Sequence, residues 1–270
     1  MRPLEALSAD EARRITGVVF DLDDTVLDHG SLGEAAYGAL FRMREAGLRL
    51  VACTGRPAGW GEVIQRQWPI DATITENGAI AFLAGPAAAG ARPLLTVDPL
   101  GSAARQTRRA ELRALADEIV DRFPATALAD DNDARRADVT LDIGEHRRVA
   151  SDQVRAIRAL ARERGARTFA SSIHLHLTHD PDDKATGTIR ILVERFGEDA
   201  TGALSRWAFV GDSANDAAAF AAFRLSFGVA NVVSHLHGLT VPPRYLAAAA
   251  MGRGFAEIAA RLVALRTSGA

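Results

Sequence analysis

Two aspartates one residue apart, Asp21 and Asp23, follow the short apolar run Val18-Val19-Phe20, with Asp24 and Thr25 immediately after them. Such a run suits a strand buried on both faces, which puts both acids at its carboxyl end. In an open α/β sheet that end is where ligands bind. Carboxylates this close repel each other, and a divalent cation held by oxygen ligands relieves the repulsion. One acid can then act as a nucleophile while the other moves protons. Aspartates also cap helices and open turns, so the pair alone leaves both readings open.

Three other element ends carry residues of comparable promise. Leu48–Cys53 reads as a second buried strand, followed by Thr54-Gly55-Arg56-Pro57. A hydroxyl and turn amides there suit an anion, and they equally suit the start of the next helix. Lys184-Ala-Thr-Gly opens a helix expected to run to Phe196. A lysine there opposes the helix dipole, which makes sense where it meets an anion held between itself and the helix amides. It is also the one lysine among 32 basic residues, the other 31 being arginines. A compact ammonium and a wide planar fork are not interchangeable. Finally, a strand at Arg206–Val210 ends in Gly211-Asp212-Ser213-Ala214-Asn215-Asp216, again with acids at a carboxyl end.

The elements that must position these residues follow from pattern and punctuation. Ser8 and Glu11 form a capping box. A helix is expected from Ser31 to Ala46, closed by Gly47. A strand at Ala72–Thr75 turns at Asn77-Gly78 into a second strand, Ala79–Leu83. Ala84–Pro93 has the composition of a linker, and the pattern changes beyond it. Leu94–Val97 reads as a strand, and residues 102–123 as a helix with Leu112, Leu115, Ile119 and Phe123 on its buried stripe. Its arginines, Arg105, Arg108, Arg109 and Arg113, read as a solvated face. Ala137–Ile143 alternates as a half-buried strand, a helix follows over 151–164, and strands are expected at 167–170 and 173–177. These make two strand-helix units whose sheet is covered by helices on one side. Thr140, Asp142, His174 and His176 then touch a substrate if the insert caps Asp21, or lie on a wet sheet face if it does not. The two histidines lack the cysteine or His-Glu-x-x-His partners of a zinc site. A strand at Leu225–Val229 and a helix at Gly254–Leu265 complete the α/β pattern.

At 270 residues, 48% hydrophobic and with a net charge of −2, the composition is that of an ordinary globular protein with a sizeable core. Near-neutrality and arginines without interleaved aromatics argue against nucleic-acid binding. Every apolar stretch is interrupted by Arg, Glu or Gly, so no membrane span is expected. Residues 1–16 lack the apolar centre of a signal peptide, which makes the cytoplasm the expected compartment. A single cysteine, Cys53, allows no internal disulfide.

The ordered set Asp21-x-Asp23-x-Thr25, Thr54, Lys184 and Gly211-Asp212-x-x-x-Asp216 resembles the haloacid-dehalogenase-like phosphatase superfamily over essentially the whole chain. The position of the insert, Glu76-Asn77-Gly78-Ala79 and the Gly-Asp-Ser-Ala-Asn-Asp form of the last motif resemble its Cof-like, type IIB branch. That branch includes sugar phosphatases and phosphomannomutases. The resemblance implies a Rossmann-like core, residues 1–84 and 180–270, with a mostly parallel sheet and helices on both faces. It also implies an inserted α/β cap over 85–179 with helices on one face of its sheet. It implies a phosphatase acting on a small phosphorylated substrate, a sugar phosphate, through an aspartyl-phosphate on Asp21, with Asp23 as acid and base. Magnesium would be held by Asp21, the Asp23 carbonyl and Asp212, with Asp216 supporting them. Thr54, Gly55, Lys184 and Asn215 would bind the phosphate, and Asn77 would join the four insert residues as substrate contacts. Asp24 stands where many members carry Gly. A hexose-phosphate mutase and a non-catalytic phosphate sensor remain the alternatives. A dehalogenase has no leaving oxygen for Asp23 to protonate, and the phosphonate hydrolases use a cap lysine that this insert lacks.

Overall fold

The computed structural model describes residues 1–86, 93–171 and 173–267. The chain begins with β1 (Arg2–Pro3), α1 (Ala9–Arg14) and β2 (Gly17–Phe20). A small hairpin, β3 (Leu27–Asp28) and β4 (Ser31–Leu32), precedes α2 (Glu34–Glu45), β5 (Arg49–Cys53) and α3 (Ala58–Gln67). Then come β6 (Ala72–Thr75), β7 (Ile80–Ala84), β8 (Leu94–Val97) and α4 (Ser102–Arg122). β9 (Ala127–Leu128), β10 (Asp138–Asp142), α5 (Ser151–Glu163), β11 (Arg167–Ala170) and β12 (His174–Thr178) follow. The chain closes through α6 (Lys184–Phe196), α7 (Ala200–Arg206) and β13 (Trp207–Gly211) to α8 (Ala217–Ala222), β14 (Leu225–Gly228), β15 (Tyr245–Leu246) and α9 (Met251–Thr267).

Nine strands form one sheet in the order β1-β15-β14-β13-β2-β5-β6-β7-β8, parallel from β1 to β6 and antiparallel at β7 and β8. Both faces of its central strands are buried. Val18 and Phe20 pack with α2 and α9 on one side, and Val19 packs with Ile191 of α6 and Phe220 of α8 on the other. This explains why the strands read as unbroken apolar runs. A second, antiparallel sheet, β11-β12-β10-β9, carries α4 and α5 on one face over Leu112, Ile119, Val139, Leu141 and Leu177. The fold is therefore the α/β core with an inserted α/β cap that the motif order implied. No helix among the described residues is long and apolar enough to cross a membrane.

Several local expectations are corrected. Leu94–Val97 falls within the stretch assigned to the insert but pairs with β7 as the edge of the large sheet. The helix expected from Ser31 starts at Glu34, because Ser31 and Leu32 pair with Leu27 and Asp28. The proposed linker at Ala84–Pro93 lies largely outside the described residues. β10, expected to be half-buried, is buried throughout. Its alternation is genuine, but its polar side chains are covered by Arg135, His176 and the backbone of residues 144–146 instead of lying in water. Arg105 is likewise not solvated. It is buried and bridges Asp98 to Asp180, so one guanidinium at the start of α4 joins the chain entering the cap to the chain leaving it.

The cap and the core meet at Glu76, in the turn between β6 and β7. One carboxylate oxygen accepts the backbone N–H groups of Ala58, at the start of α3, and of Arg136, each at 2.9 Å. The other accepts those of Ala137 and Asp138 at 2.5 and 2.9 Å. Glu76, Asn77 and Gly78 all have positive φ, 50°, 56° and 114°. A side chain at Gly78 would collide with the Asp183 carbonyl, so the turn packs backbone against the start of α6.

Candidate active site

β13, β2 and β5 lie side by side and parallel at the centre of the large sheet, so their carboxyl ends open on one edge. Asp212, Asp21 and Thr54 follow those three ends directly. Lys184 joins them from the first position of α6. Asp183 fixes that position as N-cap, accepting the amides of Ala185 and Thr186 at 2.9 Å, with Thr186 completing the capping box. The Lys184 ammonium lies 2.8 Å from Asp21 Oδ1 and 2.7 Å from Asp216 Oδ1. The other oxygen of Asp216 accepts the amides of Asp212 and Ser213, at 2.9 and 3.1 Å. Only a residue without Cβ fits at Gly211, because a Cβ there would collide with the Asp216 carboxylate.

Asp21, Asp212 and Asp216 each place a carboxylate oxygen within 4.8 Å of the others. Burial, opposed by Lys184 and reinforced by Asp216 and Asp23, pushes Asp21 up to about 7. Burial with the charges of Asp216 and Asp21 pushes Asp212 up to about 9. Lys184 loses water through burial, but Asp21 and Asp216 outweigh that loss and hold its ammonium above the ordinary value. Three buried carboxylates against one ammonium leave an excess of negative charge, and hard oxygen donors of this kind suit magnesium. The residues therefore fit the metal implied by the motifs. Asp212 is held for such a role by the Thr25 hydroxyl at 3.1 Å and the Asn231 amide at 2.9 Å. The Asn231 amide also donates to the carbonyl of Asp24, a residue with a φ of 53°.

Asp23 stands apart from this group. Its half-exposed carboxylate is gripped by Arg56, with Nε at 2.9 and 3.0 Å from the two oxygens and Nη2 at 2.5 Å from one. The guanidinium lies 3.8 Å above the Trp60 ring. Arg56 had no role in the sequence reading, although its place one residue after Gly55 in the turn following a site strand marks it. The Thr54 hydroxyl accepts the Arg56 amide at 3.1 Å, so Thr54 stabilises its own turn.

A cavity of about 460 Å³ runs from this edge to the polar face of the cap sheet. Asp21, Asp23, Gly55, Asp212, Asn215, His174 and His176 line it. Thr54, Lys184 and Asp216 are buried behind it. Three of the expected substrate contacts do not reach the lining. Asp142 is turned to the backbone amides of Gly144, Glu145 and His146 at 2.8 to 3.0 Å, and Thr140 lies 3.2 Å from His176 Nδ1. Asn77 is also buried, and neither amide atom has a partner. It packs beneath Gly55 and beside His176, since a Cβ at Gly55 would lie 3.2 Å from Asn77 Oδ1 and 3.5 Å from His176 Cε1. Arg135, also absent from the sequence reading, lines the cavity from the cap and donates to the Gly55 carbonyl at 3.0 Å.

Residues 18–87 match the family model for haloacid dehalogenase-like hydrolases. No curated protein matches the sequence. Among solved structures, protein 0175 of Thermoplasma acidophilum superposes with a TM-score of 0.71 at 17% identity, covering 92% of this chain and 98% of that one. The sucrose-phosphatase of Synechocystis sp. PCC6803, solved with sucrose and phosphate, gives a TM-score of 0.64 at 17% identity over 93% and 98%. A sugar phosphatase of haloacid dehalogenase subclass IIB gives 0.60 at 14% identity over 86% and 93%. These likenesses establish a shared fold, core and cap together.

Proposed function

We propose, from the premise that residues 18–87 form a haloacid dehalogenase-like hydrolase segment, that this protein is a magnesium-dependent phosphatase acting on a small phosphate monoester, a sugar phosphate. The carrying observation is the buried Asp21 carboxylate, 2.8 Å from the chain's one lysine, at the floor of a cavity large enough for a phosphorylated sugar. The sugar phosphatases among the similar structures support the choice of substrate.

Asp21 attacks phosphorus in line, forming an Asp21–phosphorus bond as the bond to the leaving oxygen breaks. Asp23 gives its proton to that oxygen. It then takes one from the water that attacks the aspartyl-phosphate and frees Asp21. Lys184 holds the nucleophile in place and offsets the charge gathering on the transferring oxygens, while Gly55 and Asn215 contact them from the cavity wall. Thr54 secures the Gly55 turn. Arg56 orients the Asp23 carboxyl group through its contacts to both oxygens. Asp21, the Asp23 carbonyl and Asp212 would hold magnesium, which supplies the positive charge that phosphate beside carboxylates needs.

The test is phosphate release from sugar phosphates, nucleotides and small phosphorylated acids, with and without magnesium. Release from a sugar phosphate that stops on chelation is expected. Turnover undiminished without metal, or full activity in Asp21→Asn, contradicts the mechanism. Isomerisation of hexose phosphates without phosphate release would make the protein a mutase.

A further inference from the structure

The far half of the cavity, beyond the phosphate end, has an unusual balance of charge. Asp130, Asp131 and Glu145 line it, together with His174 and His176. The basic side chain among them, Arg135, is already spent. Its Nε and Nη2 hold the two oxygens of Asp131 at 2.8 and 2.6 Å, and its Nη1 serves Asp138 and the Gly55 carbonyl, both at 3.0 Å. Its side chain is 1% exposed, so it cannot swing out to meet a ligand. The insert contains no lysine. His176 is held neutral by burial and by Arg135, and its Nδ1 lies 2.9 Å from Asp138. Donating that proton leaves Nε2 as an acceptor. His174 is paired with Glu145 at 2.8 Å and His146 with Asp130 at 3.1 Å. This end therefore offers hydrogen-bond acceptors and negative charge, with no free cation among the described lining residues.

We infer that this half of the cavity selects an uncharged, polyhydroxylated leaving group and rejects one carrying a second anion, with Glu145 and Asp130 as the specificity-determining residues. The inference rests on the phosphatase reading of the same cavity. Hydroxyls donate to the carboxylates and to His176, whereas a carboxylate or second phosphate brings like charge against them and finds no partner.

A matched pair of competitors tests it, with p-nitrophenyl phosphate and magnesium as the reporter reaction. Sorbitol 6-phosphate and 6-phosphogluconate share a six-carbon chain and differ at the far end, a hydroxymethyl group in one and a carboxylate in the other. Sorbitol 6-phosphate should inhibit at least about tenfold more tightly, and added salt should shrink the gap. The double variant Glu145→Gln, Asp130→Asn should bring the two inhibition constants several-fold closer by tightening the acid. Equal or reversed inhibition in the wild type, competition by neither compound, or a ratio unchanged in the double variant overturns the inference while the phosphatase reading stands. No release from p-nitrophenyl phosphate overturns the phosphatase reading and this inference with it.

Discussion

The single lysine sits where charge and shape both matter. Lys184 touches Asp21 and Asp216 from a fully buried position, and a planar guanidinium cannot enter a space shaped for a compact ammonium. Lys184→Arg should therefore lower kcat by at least about 100-fold although the formal charge is kept. Phosphate release under saturating substrate reads this directly. Lys184→Met removes one partner of a buried ionic group and should lower unfolding stability by about 3–5 kcal/mol in urea denaturation. Asp21→Asn should cost at least about 10³-fold in kcat at little cost in stability, because the amide is isosteric and relieves repulsion among the acids. A fall in kcat below tenfold for Asp21→Asn would remove it as the nucleophile. Asp21 and Asp212 stood out in the sequence as acids at the ends of apolar strands, and Lys184 as the one lysine, set against the dipole at the start of a helix. Arg56 did not, because an arginine in a turn has many.

Between the elements, the β6–β7 turn joins cap to core. Glu76 accepts four backbone amides, and three of them belong to the cap. Burial and the charge of Asp138 push it from an ordinary 4.5 up to about 7. The folded chain thus binds the Glu76 proton more tightly than the unfolded chain does. The stability this group contributes is complete below about 4.5 and is lost as pH rises toward about 7. Glu76→Gln should remove that slope from urea midpoints measured across this window. At neutral pH it should also cost about 1–3 kcal/mol, since an amide NH2 would face backbone N–H donors. A slope that persists in the variant would place the titration elsewhere. The turn itself was legible as Asn77-Gly78, a pair suited to positive φ. The grip of Glu76 on residues 136–138 was not, because it links positions about sixty residues apart.

Across the whole molecule, the charge excess at the sheet edge would tie the binding of a metal to folding. A cation bound only by the folded chain stabilises it by mass action, about 2.7 kcal/mol at a hundredfold excess over its dissociation constant. Magnesium should therefore raise the melting temperature, and Asp212→Asn should abolish the shift while leaving a folded protein. A rise of equal size in that variant would place the metal elsewhere. The cap shares in this architecture, because Arg105 fastens the chain entering it to the chain leaving it, and the cavity is complete only with cap residues in place.

The sequence by itself determined the order of the motifs, the buried parallel strands and the two-part α/β plan, since apolar periodicity and turn residues are local properties. It also marked the acids and the lysine by their places at element ends. Only the tertiary structure decided which polar face of the cap sheet is buried, that Leu94–Val97 belongs to the large sheet, and that Arg105 and Arg135 are spent on internal carboxylates. Burial and pairing depend on what lies across a gap in space, and alternation along a strand reports only that its two faces differ.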